Sequence, residues 1–368
     1  MTRPIEGVGT NVAAFVGLAE EGPFDTPETF DGWGTDEDEL FDRLGARPLG
    51  YSVKGFFVNG GTTAVAVRVE DAGSAAVRAG LALLDEVDLV NLVVLPAESA
   101  DREDQRATVA EAAAFCERRR AMLLVDPPSS WTSAERMAAA LVHGAAVAVG
   151  TASPNAALYA PRLRRADPAQ GGAVDTFPAS GAVAGVIART DAAQGVWTAP
   201  AGQDAELLGT DGLEFDLEQD DVREFGASGV NALRSFPGRR PIVWGARTLA
   251  AGDPASSEWK YVPVRRMALF LEESIERGLQ WAVFEPNDEP LWAEVRESVG
   301  TFLHDLFRAG AFHGHSAREA YFVRCDRDTT TQREREAGEL VVLVGFAPIR
   351  PGEFVLLRIR AHALPPAA

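Results

Sequence analysis

The stretch Trp259–Trp292, WKYVPVRRMALFLEESIERGLQWAVFEPNDEPLW, carries the clearest periodicity in the chain. Met267, Leu271, Ile275 and Leu279 recur every four residues, with Glu273 and Arg277 opposite them. Side chains four apart stack on one helical face, so the pattern predicts an amphipathic helix ending at Gly278. Trp281–Phe284 is short, apolar and aromatic, and reads as a strand. Asn287 or Asp288 suits the N-cap of a second helix, because a short side-chain oxygen accepts from the unpaired first-turn N–H groups. Trp292, Val295, Val299, Phe302 and Leu306 mark its apolar face. Further on, Tyr321–Cys325 is a strand and Thr331–Ala337 a short charged helix. Leu340–Phe346 and Phe354–Ile359 are strands flanking Pro348–Gly352. This end of the chain is α+β.

Upstream, short apolar runs alternate with helical patterns. Asn11–Leu18, Thr62–Val69, Val87–Leu95, Ala121–Asp126 and Ala145–Val149 read as strands. Arg102–Arg120 and Thr132–His143 read as helices, as does a segment from Thr35 to Leu44 whose Asp36–Glu39 acids favour a helix start. Nearly continuous apolar strands separated by helices predict a parallel sheet covered on both faces, an α/β architecture. From Thr151 to Ser257 the hydrophobic period is poor, and long loops with a few inserted elements are expected. The expected domains are 1–257, α/β with a loop-rich 151–257, and 258–368, α+β.

The 368 residues carry 54 acidic and 35 basic side chains, a formal net charge of −19. That field repels polyanions, so a general nucleic-acid binder is disfavoured. Hydrophobic residues make up 46%, enough to build a core without staples. The two cysteines, Cys116 and Cys325, have no CxxC spacing and fit a reducing compartment. Met1–Gly9 lacks a signal-peptide pattern, and the most apolar stretch, Met137–Gly150, is too short to span a bilayer. A cytoplasmic chain is expected.

Motifs for chemistry are sparse. Gly7–Val12 starts like GxGxxG but precedes a strand and puts Val12 at the last glycine position. There is no P-loop and no HExxH, and Ser180 lacks a nucleophile elbow. His313 and His315 stand two apart without a third ligand nearby, which is a loop pattern more than a metal site. Glu272–Glu273 and Asp288–Glu289 suit a helix surface and a helix start as well as acid–base work. Arg118–Arg120, Arg162/Arg164/Arg165 and Arg265–Arg266 are basic clusters in an acidic chain, suited to solvated faces or to charge-complementary self-association. No catalytic residue, cofactor or metal site is assigned.

The same Trp259–Trp292 stretch resembles the C-terminal domain of contractile tail sheath proteins. These are the sheaths of phage tails and of phage-tail-like extracellular contractile injection systems. The resemblance continues through Ala320–Asp326, Thr329–Gln332, Gly345–Pro348 and Pro351–Phe354. Upstream it takes in Asn231–Gly238, Val243–Thr248, Ile5–Thr10 with Ala13–Gly17, and Gly55–Gly61.

The resemblance implies a structural subunit, not an enzyme, with a subtilisin-like α/β topology ahead of an α+β C-terminal domain. It implies self-association in six-fold rings stacked around an inner tube protein, baseplate and cap proteins as further partners, and contraction that drives the tube into a target. Nucleic acid and membrane are not implied partners. Leu340, Val342, Val344, Phe354, Leu356 and Arg358 on the terminal strand pair become candidates for accepting a neighbour's strand, a closed hairpin being the plainer alternative. The charged helix with Arg333, Glu334, Arg335 and Glu336 becomes a candidate for facing the inner tube, a solvent face being its alternative. Similar sheaths carry a segment of the type SPGVYVEE before IEGVGT, whereas only Met1–Pro4 precede Ile5 here. A missing N-terminal arm, with poorer assembly into long sheaths, or else a misplaced start is therefore expected; the chain is also short for the family, so large outer decoration domains are not expected. Alternative readings are a cap- or baseplate-adjacent paralogue of the same machine and, from another class, a cytosolic α/β hydrolase.

Overall fold

The computed structural model describes residues 3–32, 43–96, 103–252, 258–349 and 354–365. The chain divides into two compact units, Gly9–Arg265 and Met1–Val8 with Arg266–Ala368. The sequence boundary expected at 257/258 adjoins residues 253–257, and most of the helix expected at Thr35–Leu44 falls in 33–42; both stretches lie outside the described residues.

In the first unit the chain runs β1 (Val12–Gly17), β2 (Pro27–Asp31), α1 (Pro48–Val58), β3 (Thr63–Arg68), α2 (Ser74–Leu83), β4 (Leu92–Val94) and α3 (Glu103–Arg118). It continues with β5 (Met122–Val125), α4 (Ala134–Ala140), α5 (Ala145–Val149), β6 (Ala156–Ala160), β7 (Leu163–Asp167) and β8 (Ala173–Phe177). Then come α6 (Ser180–Gln194), β9 (Gly212–Leu213), α7 (Gln219–Ala227), β10 (Val230–Arg234) and β11 (Ile242–Val243). Helix α8 (Val262–Gly278) follows, and the division between the units falls within it.

Eight strands form one sheet in the order β11-β10-β6-β5-β4-β1-β3-β2. The six inner strands are parallel and the edge strands β2 and β11 run antiparallel. Strands buried on both faces need no polar alternation, which is why β1 reads VAAFVG and β5 MLLV. One face packs Phe15, Leu92, Leu124 and Tyr159 against Phe56 of α1 and Val183 and Ile187 of α6. The other packs Val16, Val93, Leu123 and Leu158 against Leu81, Phe115, Met137 and Phe225 of α2, α3, α4 and α7. A second sheet, β8-β7-β9, is antiparallel.

Helix α6 explains why 151–257 is not the loop region expected from sequence. Its Ser180–Ala188 half is buried all round, so it shows no polar stripe and no amphipathic period. Glycines let it lie directly on α1. A Cβ on Gly185 would sit 2.2 Å from the Phe56 carbonyl oxygen, and one on Gly181 would sit 2.3 Å from that of Ser52. Its N-terminus is capped from a neighbouring strand: Asp126, just past β5, accepts from the Ala179 and Ser180 N–H groups at 2.9 Å and from the Ser180 hydroxyl at 2.5 Å. Strands β6 and β10, also in this region, are integral to the main sheet.

Two more expectations are corrected. Ala145–Val149 is a helical turn, not a strand; Gly144 and Gly150, with φ of 86° and 92°, bracket a run in which three of five residues are alanine, the best helix former. Trp281–Phe284 lies in a 3₁₀ segment, Gln280–Phe284, not a strand. The strand expected at Val87–Leu95 shortens to Leu92–Val94.

In the second unit, α9 (Glu289–Arg308), α10 (Ala317–Ala320), β12 (Tyr321–Arg324), α11 (Gln332–Glu336), β13 (Glu339–Phe346) and β14 (Val355–His362) follow the 3₁₀ segment. Met267, Leu271, Ile275 and Leu279 are buried, as the four-residue spacing predicts, and so are Trp292, Val295, Val299 and Phe302 of α9. The N-terminal residues belong to this unit. Ile5 packs where a Cβ on Gly278 would come within 2.7 Å of its Cγ1, and the Val8 N–H donates to Ser274 Oγ at 3.1 Å.

Candidate assembly surface

The sheet of the second unit has three antiparallel strands in the order β12-β13-β14. β13 is the middle strand, paired with β14 along its whole length and with β12 over Leu343–Phe346. Leu340, Val342 and Val344 point from it into the core and are buried. β14 is an outer strand in which Val355, Leu357, Ile359 and Ala361 are buried while Leu356, Arg358, Arg360 and His362 are exposed. That period of two is the mark of a strand with one covered and one open face. Of the residues singled out from sequence, Leu356 and Arg358 thus lie on the open face and Phe354 just ahead of it, while the three β13 residues lie on the covered face.

The open face carries an apolar end and a charged end. At the first, Phe322 stacks on Phe354 with centroids 6.0 Å apart. Phe322 crosses the cross-strand partner Gly345, where a Cβ would fall 2.2 Å from its ring. Phe354 is 43% and Leu356 56% exposed, an aromatic–aliphatic patch on an outer strand. At the charged end Glu334 of α11 pairs with Arg358 at 2.7 Å.

Three consecutive threonines build this corner, and each has a separate task. Thr329 Oγ1 accepts the Asp326 N–H at 2.9 Å in a turn where Asp326 Oδ1 in turn accepts from Asp328 and Thr329. Thr330 is fully buried, and its Oγ1 accepts the Val341 N–H at 3.1 Å, next to where the pairing with β12 stops. Thr331 caps α11 in a reciprocal box with Glu334. Hydrogen bonds from Thr331 and the nearby Arg358 hold the Glu334 carboxyl below its ordinary range. Arg335 donates to Gln332 and lies 5.9 Å over the Trp292 ring, and Gln332 donates to Glu336 at 2.7 Å. Of the four helix residues proposed to face a tube, Glu334 and Arg335 are therefore committed to contacts inside this unit, and Arg333 and Glu336 are the exposed ones.

Asn287 is a site residue that sequence reasoning saw only as a possible cap. It is fully buried; its amide donates to the Glu339 carbonyl at 2.8 Å and its Oδ1 accepts from Trp292 Nε1 at 2.8 Å. Asp288 is the N-cap of α9, accepting from the Leu291 N–H. The PND-x-x-x-W spacing was the available signal, since a buried indole N–H needs an acceptor.

Elsewhere, Ser180 is buried and its hydroxyl donates straight to Asp126, in the helix cap described above. Burial pushes the Asp126 carboxyl up, against the pull of its three donors and of Arg162. His313 and His315 sit in a loop, their N–H groups donating to the Ala347 carbonyl and the Glu319 carboxylate. Among the described residues no group of three or more histidine, cysteine or acidic side chains is placed to hold a metal. No described helix is long and apolar enough to cross a membrane.

A doubly wound unit covered on both faces, followed by a unit whose outer strand carries an exposed apolar patch, is compatible with a structural, assembling subunit. Comparison with known proteins makes this specific. Residues 71–249 match the phage tail sheath protein central domain and residues 255–362 the phage tail sheath C-terminal domain. The chain belongs to the phage tail sheath family. A putative prophage major tail sheath protein of Pseudomonas aeruginosa is 28% identical over 288 residues, 75% of this chain and 67% of the relative. Among solved structures, a chain of the anti-feeding prophage baseplate aligns with TM-score 0.78 and 27% identity, covering 97% of this chain and 94% of that one. A chain of the PVC extracellular contractile injection system sheath complex in its contracted state aligns with TM-score 0.74 and 29% identity, covering 96% and 92%. The chain spans between 26% and 67% of the length of the curated relatives it matches.

Proposed function

We propose that this chain is a subunit of the contractile sheath of a phage-tail-like injection system. In this reading copies associate in six-fold rings stacked around an inner tube, meet baseplate and cap proteins at the ends, and shorten to drive the tube outward. The observation that carries it is the near full-length likeness, in both units at once, to chains of the PVC sheath and the anti-feeding prophage. The open β14 strand supports a role in joining copies, because strand addition connects subunits through backbone hydrogen bonds that persist while side-chain interfaces rearrange. The role is structural, not enzymatic, as befits a family of sheath proteins and a serine locked in a helix cap. Assembly takes place in the cytoplasm.

Negative-stain microscopy of the co-expressed gene cluster, with and without this chain, tests the proposal. Sheathed particles that need this chain are expected; bare tubes or no change with it present would sink the reading. A second reading, a baseplate-adjacent ring component, is favoured by the likeness to a chain of the anti-feeding prophage baseplate. A gold-labelled tag on this chain found only at one end of the particle would select it.

A further inference from the structure

A cavity of about 280 Å³ in the first unit has no part in the surface described above. Tyr51, Lys54, Leu163, Arg165, Phe177 and Asp211 contribute to its walls, from α1, β7, β8 and the turn before β9. Its chemistry centres on Arg165. The guanidinium carbon lies 4.6 Å over the Tyr51 ring and 4.2 Å over that of Phe177, so the group is fixed by two aromatic faces. Among the described residues no ion pair joins it to a carboxylate, and its buried Nε has no hydrogen-bond partner. The nearby Asp167 is otherwise engaged: its oxygens accept from the Tyr51 hydroxyl, from Gln170 Nε2 and from the Ala169 N–H. Asp211 accepts the Ala166 N–H at 3.0 Å. Burial lowers the Arg165 pKa to about 10, only partly offset by Tyr51 and Asp167.

A preorganised guanidinium beside a cavity with apolar walls (Val58, Leu163, Phe177) and a second cation, Lys54, has the make-up of an anion receptor, with Asp211 as the one acid among the described residues that line it. We propose that the cavity binds a carboxylate on a short apolar stem, the chemistry of a glutamate side chain, supplied by a second copy of this chain. The inference rests on the subunit reading above. Charge complementarity selects the occupant: another copy carries 54 acidic against 35 basic side chains, so a carboxylate is the charged group it offers in excess. The fit is between a heterologous pair of surfaces, cavity on one copy and acid on the next, as ring closure requires.

Arg165→Met keeps an unbranched apolar side chain of similar reach beside the two rings and removes the guanidinium and its charge. In the isolated chain this change leaves the thermal midpoint unchanged or raises it, because a half-buried guanidinium without an ion pair is lost. Butyrate serves as the probe and butyramide as its neutral control. Wild-type chain binds butyrate at least tenfold more tightly than butyramide by titration calorimetry, and Arg165→Met removes that preference. In the co-expressed cluster the same variant reduces the sheathed fraction about tenfold. Wild-type assembly by Arg165→Met, or equal binding of butyrate and butyramide by wild type, overturns the proposal. Failure of the wild-type chain itself to enter any particle overturns the subunit reading instead, so the two failures are told apart.

Discussion

In the eight-stranded sheet the inner strands lie between two helical layers, with antiparallel strands at both edges. In the three-stranded sheet β14 has one face in the core and another bearing Leu356, Arg358, Arg360 and His362. The first sheet is complete within one copy, with hydrophobic clusters on both faces. The second keeps a strand and an apolar patch available. The two sheets therefore differ in what they leave exposed, and substitutions can test whether that difference bears on the joining of copies.

The largest effect is expected at Gly185. A Cβ 2.2 Å from the Phe56 carbonyl oxygen forces α1 and α6 apart, so Gly185→Ala costs about 3 kcal/mol in a urea melt. A loss below 1 kcal/mol would mean that the helices do not meet backbone to backbone. Next is Asp126→Ala, which strands three donors at the start of α6 and costs about 2 kcal/mol.

Acidity separates the two regions by sign. Asp126 has a folded-state pKa raised above its unfolded value, so its contribution is present at low pH and lost as pH rises through that raised value. Glu334 is lowered, so its contribution is present above the ordinary carboxylate range and lost as pH falls through the lowered value. Hydrogen exchange across the carboxylate range should show α11 loosening on acidification, and Asp126→Asn should flatten the opposite trend at α6. The same direction in both places would refute the assignment.

Thr330→Val removes the acceptor of the Val341 N–H and costs about 1 kcal/mol, measurable as faster exchange of that one amide. The smallest effect on stability belongs to Leu356→Glu, within about 0.5 kcal/mol because the side chain is exposed. The same change should nevertheless lower the sheathed fraction by electron microscopy. An unchanged fraction would leave the open face without a role in joining copies.

How much could be read beforehand follows from which signals are local. β1, β3 and β5 are apolar runs bounded by turns, and α8 shows its four-residue spacing, so these were legible. Helix α6 was not, because a helix buried all round has no polar face; its Gly181 and Gly185, four apart, were the one available clue to close helix packing. Trp281–Phe284 is too short for periodicity to separate strand from 3₁₀ turn. At the candidate surface the strand pair β13–β14 was legible, but the middle position of β13 depends on pairing with β12, which lies beyond α11 in the chain. The four charges of α11 look equivalent in sequence; only the fold sets Glu334 against Arg358.

The alternation along β14 bears on the interval between synthesis and assembly. A newly made chain carries its outer strand unprotected, and bare strands invite fibrous stacking. Arg358, paired with Glu334, and Arg360 stand exposed on that strand in every copy. Two identical strands meeting side by side would have to desolvate these charged side chains, which disfavours the contact. A charged, solvated face on the outer strand is thus a built-in check on premature stacking of free chains.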